Sequence, residues 1–404
     1  MTNDIYNADI LVPTTATVTI EDMGDIGSDW LVVNGTYPVE TDIRLGYWTL
    51  NGISTQASAR FDPIAGQGHR LLINGLIENV RGANSTDFIQ GNEVANILYG
   101  DASGTGPGGD DTISGFDGND SIYGGAGDDT VNGDLGNDLI YGGTGSDSLN
   151  GGGGRDLIIG GGGADVMFGG ADGNDTLSFA GSAAGVTVGV TFGTTTVGAG
   201  GDAQGDVIGG FSDVIGSRFN DRLTDTVKTS VNYGGNDNSF YGGLGNDVLY
   251  LGGGIDDGHG GSGNDVISGE AGNDRLYGDA GADQLIGGIG LDRLYGGLGA
   301  DRFIFRSLTD STVSLTGRDT VQEFNSAEGD KIDLRALDAD SAMALNQAFT
   351  YIGTAAFDGR HGLVHSTVSG ANLVVTGDIN GDKVADFAIL VLNTAALAGT
   401  DFLL

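Results

Sequence analysis

Across residues 106–168 an aspartate returns at every ninth position without a slip: Asp111, Asp120, Asp129, Asp138, Asp147, Asp156 and Asp165. Asp175 follows after a one-residue insertion. Two places beyond these aspartates stand Ile113, Ile122, Val131, Ile140, Leu149, Ile158 and Met167. A second array over about 234–304 repeats the pattern with Asp247, Asp256, Asp265, Asp274, Asp283, Asp292 and Asp301. Its apolar positions are Leu249, Gly258, Ile267, Leu276, Leu285, Leu294 and Phe303, so Gly258 predicts one under-packed coil. Segments 82–90 and 91–99 are worn copies, with Asp87 and Asn96 at the sixth position.

A fixed short period dictates a stack of identical units, because no single unit buries its own apolar face. The block Gly-Gly-x-Gly-x-Asp forms a turn through conformations open mainly to glycine. The remaining x-U-x, with U apolar, forms a short strand whose middle side chain points inward. Two nonapeptides close one coil, so equivalent turns stack every 18 residues. The expected fold is all-β, a calcium-loaded parallel β-roll in two arrays. Asp111, Asp129 and Asp147 then line one edge, and Asp120, Asp138 and Asp156 the other. Successive carboxylates sit about one strand spacing apart, ~4.8 Å, and repel one another unless a cation intervenes.

The nonapeptide Gly-Gly-x-Gly-x-Asp-x-U-x is an established calcium-binding β-helix repeat. The chemistry agrees with that assignment. Calcium accepts carboxylate and carbonyl oxygens in flexible geometry, whereas magnesium demands a tight octahedron and gives up water reluctantly. Zinc would want His or Cys, and the chain has four His and no Cys. The candidate ligands are the fifteen aspartates 111–301 named above. Turn carbonyls such as those of Gly124, Gly127, Gly142, Gly145, Gly260, Gly263, Gly269 and Gly272 join them. One apolar residue per nine is a thin core, so folding is expected to be linked to the binding of multiple calcium ions.

With 55 Asp and Glu against 17 Lys and Arg, the formal net charge is −38. Such a chain repels nucleic acid and anionic lipid and resists compaction without cations. No apolar run approaches the ~18 residues of a membrane span. The start, Met1-Thr2-Asn3-Asp4-Ile5, has neither a basic nor an apolar signal region, so an export address is expected elsewhere. Composition divides the chain into five parts. They are a β-rich N-terminal region at 1–81, a first array at 82–177, an irregular β spacer at 178–233, a second array at 234–304 and a C-terminal region at 305–404. The spacer holds a degenerate repeat at Asn220-Asp221-Arg222-Leu223. Strands are expected at 17–20, 30–33, 373–376 and 387–392, and a short helix near 336–349.

These residues resemble the repeats-in-toxin (RTX, hemolysin-type) proteins exported by type I secretion. Gly299-Ala300-Asp301-Arg302-Phe303-Ile304-Phe305 is similar to the junction that closes the roll in serralysin-type metalloproteases. Asp319-Thr320-Val321-Gln322-Glu323-Phe324, Gly329-Asp330-Lys331-Ile332-Asp333-Leu334, 353–357 and 377–382 continue that likeness through the C-terminal region. The final Asp401-Phe402-Leu403-Leu404 resembles the family's uncleaved export signal. The resemblance implies secretion, with the type I export machinery as a partner through the C-terminus.

The serralysin zinc motif His-Glu-x-x-His is missing; His361-Gly-Leu-Val-His365 lacks the Glu. There is no Gly-x-Ser-x-Gly elbow and no phosphate-binding Gly-x-x-x-x-Gly-Lys. Asp378, Asn380, Asp382 and Asp386 match positions 1, 3, 5 and 9 of a calcium loop, but Ile389 stands at the twelfth. That segment reads as a tight polar hairpin or as a weak calcium site. The leading functional expectation is a secreted, non-enzymatic calcium-binding protein with an adhesive, matrix, surface or host-interaction role, and cell-surface polysaccharide or a host surface as candidate partner. The alternatives are the accessory module of a secreted protease or polysaccharide-modifying enzyme, and a membrane-active toxin component.

Overall fold

The computed structural model describes residues 17–21, 30–34, 41–50, 53–63, 69–74, 79–82, 86–101, 108–170, 174–190, 195–225, 237–340 and 346–404, with side chains from Val80 onward. Among these residues the secondary structure is β apart from two short 3-10 turns, Gly201–Ala203 and Gly399–Asp401. No described helix is long and apolar enough to cross a membrane. The chain divides into two compact units: Met1–Phe179 with Gly193–Phe211, and Ala180–Phe192 with Ser212–Leu404. The spacer is thus shared out between the units.

In the first unit, parallel strands climb two faces in steps of 18 residues. On one face Ser121 faces Leu139 and Leu139 faces Leu157; on the other Thr130 faces Ser148 and Ser148 faces Val166. The step follows from the period, since two nonapeptides make one coil. Ile122, Ile140 and Ile158 stack inward from one face, and Ile113, Val131, Leu149 and Met167 from the other, all at most 1% exposed. Thr17–Glu21 and Trp30–Asn34 are the strands expected in the N-terminal region, and Trp30–Asn34 joins the parallel stack through Asn79–Arg81. At Gly145 the turn takes φ 133°, and a Cβ there would run into the carbonyl of Gly127 in the preceding coil. Glycine at this position is set by backbone conformation and by coil-to-coil contact together.

The second unit repeats the design, with Ser239 facing Asp257, Asp257 facing Arg275 and Arg275 facing Arg293. Outside the core, Tyr241, His259, Tyr277 and Tyr295 stack with ring centroids 4.9, 4.4 and 4.5 Å apart. The strand spacing imposes that interval, and equivalent positions therefore form a continuous column. The repeats end in a cap: Thr320–Gln322 pairs in parallel with Phe387–Val391, which leads into an antiparallel ribbon with Asn372–Asp378 and Leu363–Ser369. Phe402–Leu403 pairs with Lys331–Asp333. The helix expected near 336–349 does not form at 336–340 or 346–349, and 341–345 lie outside the described residues.

The coil at Gly258 is not under-packed. Leu251, which follows the strand Val248–Tyr250, turns inward and is fully buried. A Cβ on Gly258 would lie 2.9 Å from Leu251 Cδ1 and 2.9 Å from Ile267 Cγ2, so the space left by the missing side chain is filled from a neighbouring position. Leu251→Ala should therefore cost about 2–5 kcal/mol in calcium-loaded thermal unfolding. Adding Gly258→Val to that variant should recover part of the loss, whereas Gly258→Val alone should destabilise by overpacking.

Candidate calcium sites

The aspartate at the sixth position of each repeat ends a turn and begins a strand, which points its carboxylate into the turn stack. One oxygen has a structural task. Asp129 Oδ1 accepts the backbone N–H of Asp111 at 2.7 Å, Asp147 Oδ1 that of Asp129 at 2.9 Å, and Asp165 Oδ1 that of Asp147 at 2.9 Å. The opposite edge runs through Asp120, Asp138 and Asp156 in the same way. In the second unit the chains are Asp247, Asp265, Asp283 and Asp301, and Asp256, Asp274 and Asp292. Every sequence-predicted aspartate of the arrays is placed in one of these four ladders, Asp175 included through the N–H of Asp156.

The second oxygen is left bare. Oδ2 of Asp111, Asp120, Asp129, Asp138, Asp147, Asp165, Asp247, Asp256, Asp265, Asp274, Asp283, Asp292 and Asp301 is buried without a hydrogen-bond partner. A buried carboxylate oxygen in this state costs several kcal/mol unless a cation meets it. The first glycine of the turn makes room there. A Cβ on Gly124 would lie 2.5 Å from Asp129 Oδ2 and 2.6 Å from Gly142 O; one on Gly242 would meet Asp247 Oδ2 and Gly260 O at the same distances. The carbonyls of Gly124, Gly142 and Gly260 thus reach the cradle of the bare oxygen. Gly269 lines an equivalent cradle beside Asp274. The carbonyls of Gly127, Gly145, Gly263 and Gly272 instead face the fourth-position glycine of the following coil.

Carboxylate and carbonyl oxygens around a buried, uncompensated charge suit a hard divalent ion such as calcium. Among the described residues no three His, Cys, Asp or Glu side chains converge on one point, so backbone oxygens are needed to complete a coordination shell. Without a cation, burial pushes the carboxyls up: Asp111 and Asp274 to about 9, Asp256 to about 8, Asp120, Asp138, Asp147, Asp247 and Asp283 to about 7, and Asp129 and Asp301 to about 6. Repulsion from neighbouring aspartates adds to burial at most of them, as for Asp274 beside Asp292 and Asp256.

The ladders extend beyond the repeats. Asp206 accepts the N–H of Asp165, Asp221 those of Val186 and Ser217, Asp319 that of Asp292 and Asp330 that of Asp301. The spacings of 41, 27 and 29 residues from Asp165, Asp292 and Asp301 hide these positions from a nine-residue search. The worn copies also belong: the N–H groups of Asp87 and Asn96 donate to Asp111 and Asp120 across 24 residues.

The 378–386 segment behaves otherwise. Asp378 accepts the N–H groups of Gly381 and Lys383, Asn380 that of Asp382, Asp382 that of Val384 and Asp386 that of Ile379. Those bonds tie the segment into a tight polar hairpin, in which the three weaker candidates Asp378, Asn380 and Asp382 each accept backbone N–H groups. His361 pairs with Asp340 at 2.8 Å and His365 with the carbonyl of Ala355 at 2.9 Å, so the two rings serve separate contacts.

The family described as RTX calcium-binding nonapeptide repeat (4 copies) matches residues 105–140, 141–177, 234–257, 250–285, 259–294 and 278–307. The chain therefore carries two arrays of repeats that bind multiple calcium ions. Two solution structures are similar to parts of it. The AlgE6R3 subunit of the Azotobacter vinelandii mannuronan C5-epimerase is 27% identical, with 40% of this chain and 80% of that one covered and a TM-score of 0.28. The AlgE6R2 subunit of the same enzyme is 29% identical, with 35% and 88% covered and a TM-score of 0.26. No curated protein matches.

Two outcomes follow from this geometry. Gly124→Ala should raise the calcium needed for half-saturation, because its Cβ enters the cradle, while Gly162→Ala, with open space around it, should stay within about 0.5 kcal/mol of wild type. The raised carboxyls make the metal-free roll bind more protons than the unfolded chain. Its stability should therefore fall as pH rises from about 4 through the range of about 6 to 9. In calcium titrations, protons and metal compete for the same oxygens, so half-saturation should move to higher calcium as pH drops from 8 to 5.

Proposed function

We propose that this is a secreted calcium-binding protein whose rolls fold outside the cell when calcium enters the aspartate ladders, and that its role there is non-enzymatic. The observation that carries the reading is the row of buried, unpartnered Oδ2 atoms. A fold that aligns so many uncompensated carboxylates needs cations to persist, and the apolar ladder supplies one residue per nine. In this reading Asp111, Asp120, Asp129, Asp138, Asp147, Asp156, Asp165, Asp175, Asp247, Asp256, Asp265, Asp274, Asp283, Asp292 and Asp301 hold the ions with turn carbonyls. When bound, the metal supplies neutralising charge and cross-links between coils. The chain's own part is to hold Oδ1 on the amide of the coil before it and to turn Oδ2 toward the cradle.

Calcium at the level of extracellular modules, with dissociation constants of about 10⁻⁴–10⁻³ M, would leave the ladders empty in a low-calcium cytosol and fill them outside. An empty chain of −38 charge stays extended and suited to export. Type I export through residues 401–404 is part of this proposal. In the folded cap Asp401 and Phe402 are buried and Phe402 faces Ile332, so an export machine would have to engage the segment before folding. Normal secretion of a chain lacking 401–404 would sink that export route. A non-catalytic role is supported by the use of the paired carboxylates, which the ladders occupy.

Far-UV circular dichroism of the whole chain tests the central claim. In excess chelator the β signal should be mostly lost, and it should return cooperatively with millimolar calcium. Full β-structure in chelator would overturn calcium-linked folding.

A further inference from the structure

The outward side chains of the rolls are not distributed evenly. In the first roll Tyr99, Tyr123 and Tyr141 hold the ninth repeat position of successive coils on one face. The same position on the opposite face carries Ser114, Asn132, Asn150 and Phe168. In the second roll Tyr241, His259, Tyr277 and Tyr295 hold it on one face. Parallel, in-register pairing sets each ring over its equivalent. Tyr99 and Tyr123 lie with centroids 4.6 Å apart and planes 8° from parallel, Tyr123 and Tyr141 5.0 Å and 7°, and Tyr277 and Tyr295 4.5 Å and 14°. Like atoms therefore face like atoms, and each Cε beside a phenol oxygen has an equivalent Cε about one strand spacing away. Neither the apolar core nor the calcium cradles use these rings.

His259 interrupts the second column. Its ring lies 4.9 Å from that of Tyr241 and 4.4 Å from that of Tyr277. Tyr241 thus stands between an imidazole and Ile215, its strand partner on the other side, with no phenol on either. At 41% exposed it is also the most open tyrosine of the columns. Accessibility alone favours reaction at Tyr241, whereas stacking favours the other five.

We propose that the stacked phenols are oxidative cross-linking sites, at which a peroxide and a haem peroxidase couple Tyr277 to Tyr295 and Tyr123 to Tyr99 or Tyr141. The peroxidase takes one electron and one proton from each phenol, and one peroxide is reduced to two waters for every two phenols. The paired phenoxyl radicals join by a carbon–carbon bond between facing Cε atoms. The two Cε hydrogens then move to the oxygens, which restores two aromatic phenols; the product has lost two hydrogens in all. Burial first, and then the neighbouring phenols, pushes the Tyr123 and Tyr277 hydroxyls up, so these residues enter the reaction neutral. Each bond ties one coil to the next. Resting on the calcium-linked folding proposed above, it keeps a coil closed after the metal is withdrawn.

The test treats dilute full-length chain in millimolar calcium with hydrogen peroxide and a haem peroxidase, and identifies cross-linked peptides by mass spectrometry. Dityrosine should join Tyr277 to Tyr295, and Tyr123 to Tyr99 or Tyr141, within single molecules, and Tyr241 should be absent from the links. Tyr295→Phe keeps the stacked ring without its phenol; it should lose the link to Tyr277 and keep that to Tyr123 at the wild-type yield. His259→Tyr should bring Tyr241 into a link with the new ring. The oxidised wild type should retain, in excess chelator, β signal that the untreated chain loses. Absence of links at both sites, or links made mainly by Tyr241, would overturn the proposal. Repeating the reaction in chelator separates it from the calcium reading. If circular dichroism shows the chelated chain unfolded and the same links form at the same yield, the columns do not select them and the proposal fails. If the chelated chain is still β-structured, calcium-linked folding fails and the cross-linking stands.

Discussion

The structure depends on a division of labour within one side chain. Most ladder aspartates give Oδ1 to an amide of the preceding coil and keep Oδ2 bare, in repeats such as 124–129 in a cradle walled by glycine. The hydrogen bond sets the stacking and would survive in a neutral asparagine, whose side-chain oxygen accepts in the same way, as Asn119 Oδ1 does from the N–H of Asn137 one coil on. The bare oxygen does the opposite work. It makes the empty stack costly, because a buried anion without a partner is among the least favourable groups a fold can contain. One residue type thus makes the architecture regular and makes it conditional on a cation.

Glycine enters the same argument through space as well as flexibility. At Gly124 the backbone φ is unremarkable, yet a Cβ would meet both the carboxylate and the next coil's carbonyl. At Gly145 a left-handed φ and the carbonyl of Gly127 exclude side chains twice over. Where neither restriction holds, as at Gly162, nothing crowds the position. The high glycine content therefore has several separable causes, and those bearing on metal are the first-position glycines that open onto Oδ2.

The periodic part of the fold was legible because the period is itself the structure: nine residues fix the coil, 18 fix the register, and the aspartates and apolar residues fall where that arithmetic puts them. The signal failed where insertions kept the geometry but broke the count. Asp206, Asp319 and Asp330 occupy ladder positions at separations of 41, 27 and 29 residues, and only the three-dimensional stack shows them as equivalent to the repeats. Leu251 is a similar case. It stands at the first position of repeat 251–259, where the other repeats of the array carry glycine, and its side chain fills the space of the one absent at Gly258. The segment 378–386, whose spacing fits a tight polar hairpin or a weak calcium site, has its side chains engaged by its own backbone amides.

The ends of the ladders show how such a stack can be terminated. A repeat that simply stopped would leave one carboxylate facing water and one amide without an acceptor. Asp221 and Asp330 solve this by turning both oxygens onto backbone N–H groups, so the charge of these end residues is met by the backbone. Asp319 keeps the repeat's own arrangement instead, and the cap strand Phe387–Val391 is laid directly against the strand that follows it. The last coil and the cap thus meet at one residue, since the Asp319 that leaves Oδ2 bare also accepts the N–H of Leu390 on its carbonyl. Termination by amide leaves an end with no bare oxygen, and termination by carboxylate leaves one that keeps it. The second roll uses both, one on each edge.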